Sequence, residues 1–320
     1  MSERERNLAW QLTTNVGVER TNDLAMRCFI QLRTGQTRRW ATRLVILSVL
    51  ALNAPVAHAQ WLNHPTPGIP RLSDGKPNLA APTPRTADGR PDLSGIWVAD
   101  CAIYGRDACF LKSLFFNIAR DLKPEEVVMT PWAAAIQKQR ESRNHIDDPY
   151  GYCLPPGMPR INFAGAPFKI MQTPQLTVFL HETLVGMIFR QVFTDGRGLP
   201  ASSEPTWLGY SVGRWDEDVL VVETTGFRDA GWLDTQVARP HSDALRVTER
   251  FRRVDVGRIE LAVTIDDPKA YRKPWTVTTR LNLLPDTELI EAFCENHAQT
   301  MEHRMITPPP PEPPSGPPPK

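Results

Sequence analysis

This sequence predicts an all-β chain: an antiparallel meander closing into a barrel, with a short helical insertion and Pro-rich ends. Three observations carry the expectation. Short runs of period-2 alternation follow one another from about residue 168 onward, turn-forming residues mark their boundaries, and no long helix separates them. With eight or nine strands in a meander, closure is favoured because it removes exposed edges.

The elements follow in chain order. Residues 1–59 read as a leader and secretory signal peptide. Arg38, Arg39 and Arg43 precede the apolar run Leu44–Leu52, and Ala57-His58-Ala59 supplies a small-residue cleavage site that would leave Gln60 first. The run is too short for a bilayer, which needs about 20 residues, so no transmembrane segment is expected after cleavage. The expected location is periplasmic or secreted. The pair Arg38-Arg39 hints at twin-arginine export, but the residues after it fit the general route better. The polar stretch before Met26 leaves an internal start at that residue open. Eight of the 37 basic and four of the 36 acidic residues fall in the leader, so the remainder holds 29 and 32, a net of −3. No basic stripe survives, which argues against nucleic acid as a partner.

Residues 60–92, rich in Pro, Gly and Asp, are expected as an extended arm wrapped on the surface. Residues 93–305 form a single barrel domain, and the Pro-rich stretch 306–320 is a disordered tail. A first strand begins in Asp92–Trp97. Thr130 is a helix N-cap and Pro131 suits the first turn, so a helix runs to about Arg143 within an insertion around 122–143; Leu122–Glu126 adds a short turn. Tyr152–Arg160, with three prolines, is a rigid loop. The further strands are expected at roughly 168–173, 176–182, 185–193, 208–215, 218–225, 245–254, 258–266, 275–283 and 287–294.

After removal of Cys28 with the leader, Cys101, Cys109, Cys153 and Cys294 remain. An even number in an oxidising compartment suggests two disulfides, with Cys101–Cys109 and Cys153–Cys294 the preferred pairing of three. A zinc site at Cys294-x-x-His297 and His303 is the weaker alternative, because no second Cys-x-x-Cys accompanies it. No metal and no cofactor is expected.

Gly95-Ile96-Trp97 resembles the Gly-x-Trp of the first strand in lipocalins and the wider calycin barrels. That resemblance implies a Trp97 that plugs the closed end. The blocks APTPRTADGRPDLSGIW, YCLPPGMPRINF, FKIMQTPQLTVFLHE, WLGYSVGRWDEDVLVVETTGF, PHSDALRVTERFRR and VTIDDPKAYRKPWTV resemble a family of secreted bacterial proteins of unassigned function, of acidobacterial and sphingomonad type. The likeness spans nearly all of the mature chain and implies a compartment and a barrel, not a chemistry. Such sequences carry Gly in the turn where Glu217 stands here, so this turn is expected to use another conformation.

Strand parity supplies the candidate site. Leu176, Val178, Leu180 and Glu182 share a face, as do Leu184, Gly186, Ile188, Arg190 and Val192. Val219, Val221, Glu223 and Thr225 form a third set, and Leu245, Val247, Glu249 and Phe251 a fourth. If these faces point inward, Glu182, Glu223, Glu249 and Arg190 enter the barrel and must be paired, hydrated or protonated. One reading makes them a ligand site with Glu as general acid or base; the other makes them strand-end salt bridges with Arg190, Arg250 or Arg252. His241 would sit at the rim, Asp234 and Asp195 would join from loops, and Trp97 and Trp215 are aromatic contacts for a ligand beside Arg190. Arg250 and Arg252 oppose Phe251 and should face solvent.

Ser242 has no Gly-x-Ser-x-Gly elbow, and no P-loop or dinucleotide fingerprint occurs. Asp266-Asp267-Pro268 reads as a turn before a cation site. The function expected is small-molecule binding by an exported barrel. The alternatives are a cofactor-independent proton-transfer enzyme (lyase, isomerase or hydratase) and a structural envelope protein.

Overall fold

Nine strands close into a barrel in sequence order: β1 (Gly95–Ala99), β2 (Phe168–Gln172), β3 (Leu176–Thr183), β4 (Gly186–Phe193), β5 (Tyr210–Asp216), β6 (Val219–Thr225), β7 (Arg246–Asp255), β8 (Arg258–Asp266) and β9 (Trp275–Leu283). The structure is a computed structural model that describes residues 65–100, 116–163, 165–183 and 185–291. All of these belong to one compact unit, Trp61–Lys320. The all-β barrel is therefore as expected, and the expected strands through 283 lie within about two residues of the observed ones.

Two expectations need correction. Around a closed ring of nine, strand directions cannot alternate throughout, because nine is odd; one neighbouring pair must run parallel. That pair is β4–β5, joined only through Val192↔Ser211 and Phe193↔Val212. The sheet is mixed rather than a pure antiparallel meander. Residues 194–209 form the crossover, carrying the chain from one end of the barrel back to the other as a parallel pair requires.

The second correction concerns the strand expected at 287–294: residues 287–291 are not a strand. β9 already pairs with β8 and β1, so the ring has no edge to offer a tenth strand. Side chains hold this segment instead: Lys169 Nζ bonds Glu288 at 2.7 Å, and Ile290 N–H donates to Glu182 at 3.0 Å.

Between β1 and β2 lies helix α1 (Pro131–Ser142), with the Thr130 hydroxyl accepting from Ala133 N–H and Pro131 in the first turn, as expected. Thr130 also donates through its hydroxyl to Lys269 O and through N–H to Ala270 O, both at 2.8 Å, which ties the helix to the β8–β9 connection. Pro124–Glu126 forms the earlier short turn as a 3-10 helix. In the Pro-rich loop, Arg160, Ile161 and Asn162 are buried, and Arg160 makes two 2.8 Å bonds to Asp148. Cys153 is disulfide-bonded. Cys101, Cys109 and Cys294 lie outside the described residues, as do the leader and the tail.

The arm is not simply extended. Pro70–Leu79 and Pro84–Leu93 share the pattern Pro-Arg-x-x-Asp-Gly-Lys/Arg-Pro-Asn/Asp-Leu, and each folds into the same tight loop. Leu72 N–H donates to Lys76 O and Asn78 N–H to Pro70 O; Thr86 and Asp92 repeat both bonds with Arg90 and Pro84. Gly75 and Gly89 reverse the chain at φ of 82° and 81°. In each loop the arginine reaches its own glycine carbonyl and then pairs with an aspartate of the barrel: Arg71 with Asp286, just after β9, and Arg85 with Asp218, in the β5–β6 turn. The repeat thus fastens the arm to one end of the barrel.

That end is plugged by Trp97, which is fully buried, donates from Nε1 to Leu93 O at 2.9 Å, and lies 4.9 Å beneath the Arg253 guanidinium. Arg253 donates to the carbonyls of Asp92, Asp255 and Val256, and burial pulls its pKa down to about 10. Gly95 explains the Gly of Gly-x-Trp: its φ is +139°, and a Cβ there would lie 2.7 Å from Leu283 Cδ1. Gly95→Ala is expected to cost about 1–3 kcal/mol, read as a lowered urea midpoint with an unchanged m-value. Glu217, expected to escape the left-handed region, keeps it at φ 51°.

Candidate functional site

Register across the closed ring settles which residues face inward, since directly paired residues share a face. The inward set runs Trp97–Phe168–His181–Ile188 and Ile170–Phe179–Arg190 on one side. It continues Val192–Ser211–Thr224–Val247 and Val222–Glu249–Val263 on the other. β4 and β7 therefore behave as the parity argument expects, and Arg190 and Glu249 enter the barrel.

β3 and β6 are reversed. Thr177, Phe179, His181 and Thr183 are the buried residues of β3, while Glu182 lies on the outer face and accepts from Ile290 N–H. Partial burial there raises the Glu182 pKa. On β6, Leu220, Val222 and Thr224 point inward and Glu223 outward. The physical reason is that both strands carry apolar residues on both faces. The barrel tolerates Met171, Met187 and Phe189 on its outer wall at 47%, 44% and 65% exposure.

The inward polar residues form one network. The Arg190 guanidinium donates from Nε to Ser211 Oγ at 3.0 Å, from Nη2 to Thr224 Oγ1 at 2.8 Å, and from Nη2 to the Glu249 carboxylate. Asn162 Nδ2, from the Pro-rich loop, donates to the other Glu249 oxygen at 2.6 Å. Arg190 and Glu249 have side chains only 1% and 0% exposed. The charges cancel within a sealed interior, which suits a buried pair whose remaining lone pairs and protons are bonded.

Aromatic rings wall the network. The Phe168 and His181 centroids are 5.0 Å apart, Phe179 stacks on His181 at 6.2 Å and meets Phe251 at 5.5 Å, and Arg190 lies 5.6 Å from the Phe179 centroid. Burial first, and the Arg190 charge second, lower the His181 pKa to about 3, so the imidazole is neutral.

The network is not saturated. Asn162 Oδ1, His181 Nε2 and Arg190 Nη1 are buried without a hydrogen-bond partner. Each such atom costs about 1–3 kcal/mol, and native interiors hold few of them. Two of them belong to side chains that share Glu249 and the third to a ring beside them, which marks the place in the fold where an occupant would be most strongly held.

The other expected residues lie elsewhere. His241 is buried in a second cluster, its Nδ1 donating to Ser242 O at 3.1 Å, since a carbonyl only accepts. A Cβ on Gly231 would come within 2.2 Å of its Nε2, and burial lowers its pKa. Ser242 donates its hydroxyl to Asp267, which also accepts from the N–H groups of Ser242, Lys269 and Ala270 and so organises the turn. Asp234 accepts from Ile118, Val237 and Arg239 N–H groups and from the Arg239 guanidinium, a loop-ordering role.

Asp195 pairs with Arg197 in its own exposed loop. Trp97 is the plug, and Trp215 sits beneath Arg90 of the arm, 5.8 Å from its guanidinium carbon. Arg250 and Arg252 face solvent as expected, paired with Asp216 and Glu260, and they line an outer groove of about 720 Å³.

His181, Asn162, Ser211 and Thr224 were missed by the sequence reading. The alternation Thr177-x-Phe179-x-His181-x-Thr183 carried the signal for His181; Asn162 reaches Glu249 only through tertiary contact. Among the described residues, no group of three or more His, Cys, Asp or Glu is placed to hold a metal ion, and no helix is long and apolar enough to cross a membrane. No protein-family model matches the chain, and no curated protein matches it.

Proposed function

We propose that the chain is an exported small-molecule-binding barrel that seats the polar end of its ligand on the Arg190–Glu249–Asn162 network beside His181. The observation that carries this reading is the trio of orphaned polar atoms. A barrel that needed only a core gains nothing from an Arg–Glu pair whose surroundings are left part-bonded, and apolar residues would serve it as well. The β4–β5 seam supplies a way in. β4 pairs with β3 along its whole length, but only its last two residues pair with β5. Met187 and Phe189, beside the unpaired stretch, are the exposed apolar residues a ligand would meet first. The basic, apolar and small-residue regions of the leader support export.

Proton-transfer catalysis has less behind it. Glu182 and Glu223 lie on the outer face, Glu249 is engaged by Arg190 and Asn162, and His241 belongs to a separate cluster. Binding is tested by denaturing protein purified from its native host and identifying what is released by mass spectrometry. A compound stoichiometric with the wild-type chain and reduced in an Arg190→Leu/Glu249→Leu double variant is expected. Equal trace amounts from both proteins would sink the reading.

A further inference from the structure

We propose that this buried network selects a compact neutral group carrying both a hydrogen-bond donor and an acceptor, a primary carboxamide being the best match, over a carboxylate or an ammonium. The proposal rests on the small-molecule reading above and names the ligand class for the same site.

Charge balance comes first. An unpaired buried Arg would ask for an anion, but Arg190 already has Glu249 against it, with both side chains out of solvent. A ligand carboxylate would set two anions around one guanidinium in a low-dielectric interior. An ammonium would face the same guanidinium. Either charge would lose its hydration for several kcal/mol without a free counter-charge to offset it.

Hydrogen-bond chemistry narrows the class further. The three buried atoms without a protein partner are Arg190 Nη1, which can only donate; Asn162 Oδ1, which can only accept; and Nε2 of a neutral His181, which donates or accepts according to the tautomer. A carboxylate offers no donor to Asn162, and an ammonium offers no acceptor to Arg190. A hydroxyl has a single proton to give. A primary carboxamide has a carbonyl for Arg190 and an N–H for Asn162, the two residues that meet on Glu249, and keeps a second N–H for the His181 tautomer whose Nε2 accepts. The walls contributed by Phe168, Phe179 and Phe251 suit an aromatic or flat apolar body attached to that group.

The test uses three near-isosteric probes, benzamide, benzoate and benzylammonium, titrated into the full chain at neutral pH with ligand-observed NMR. Benzamide is expected to bind about tenfold or more tighter than either charged probe, a difference of about 1.4 kcal/mol. Asn162→Ala should abolish that preference. Tighter or equal binding of benzoate or benzylammonium overturns the neutral class while leaving an interior site in place. If no probe shows saturable binding and native protein releases no compound, the network holds water alone, and the small-molecule reading falls with the proposal.

Discussion

Arg190→Leu is expected to cost about 3–5 kcal/mol of unfolding free energy, because it strands the Glu249 carboxylate at a position without solvent contact. Against a total stability of about 5–15 kcal/mol for an ordinary domain, that loss is a large fraction of the whole. Glu249→Leu should cost as much by stranding the guanidinium. The double variant Arg190→Leu/Glu249→Leu should be more stable than either single one, since replacing both buried charges by apolar groups is often close to neutral.

The seam adds a local readout. Arg190 reaches β5 through Ser211, β6 through Thr224 and β7 through Glu249, across a boundary where the backbone ladder has two residue pairs. Amide exchange at Met187–Gln191 should therefore accelerate in Arg190→Leu more than exchange in β8. By contrast, the exposed Arg85–Asp218 pair, with side chains 50% and 60% accessible, should contribute less than about 1 kcal/mol. A double-mutant cycle by urea unfolding decides the matter. Single variants that each lose under about 1 kcal/mol, or a double variant whose loss equals their sum, would show that the pair is not the interior's electrostatic keystone.

How much of this was legible beforehand depends on the strand. On β7, Val247, Glu249, Phe251 and Arg253 alternate strictly with exposed or half-buried residues, so the inward Glu249 could be read from the chain. On β3, Leu176, Val178 and Leu180 outnumber Phe179 as aliphatic markers, yet they lie on the outer wall. The ring places Thr177 and His181 inside, and for His181 contacts with the Phe168 and Phe179 rings replace aliphatic packing. On β6 the run Leu220-Val221-Val222 is buried throughout and gives no parity at all.

The parallel β4–β5 pair had a cue that went unused: a connection as long as 194–209 is suited to a crossover, not a hairpin. Asn162 had no local cue, since its role exists only because a loop before β2 closes over a carboxylate on β7. The elements are local consequences of the sequence, whereas the site depends on ring closure, which is not local.

His181 yields the second large effect, an acid-side loss of stability with a defined sign. Its folded pKa is held near 3 by burial and by Arg190, against about 6.5 in the unfolded chain. The unfolded state thus takes up a proton that the folded state refuses. The contribution is fully present above pH 6.5 and is lost as pH falls, at about 1.4 kcal/mol per pH unit, until the folded imidazole itself titrates. The whole loss is on the order of 4–5 kcal/mol, comparable to breaking the ion pair.

The charged groups facing His181 are Arg190 directly and Glu249 through it; its other neighbours, Phe168 and Phe179, are neutral rings. His181→Phe should fit between those rings and remove the orphaned Nε2 at the same time. It should therefore be no less stable than wild type at neutral pH, and markedly more stable than wild type near pH 4. His241, also lowered by burial, keeps a residual slope in the variant. Urea midpoints for both proteins between pH 7.5 and 4 measure the difference. Parallel curves would mean that His181 is solvated or protonated in the folded barrel, and the sealed, neutral interior on which the site rests would have to be abandoned.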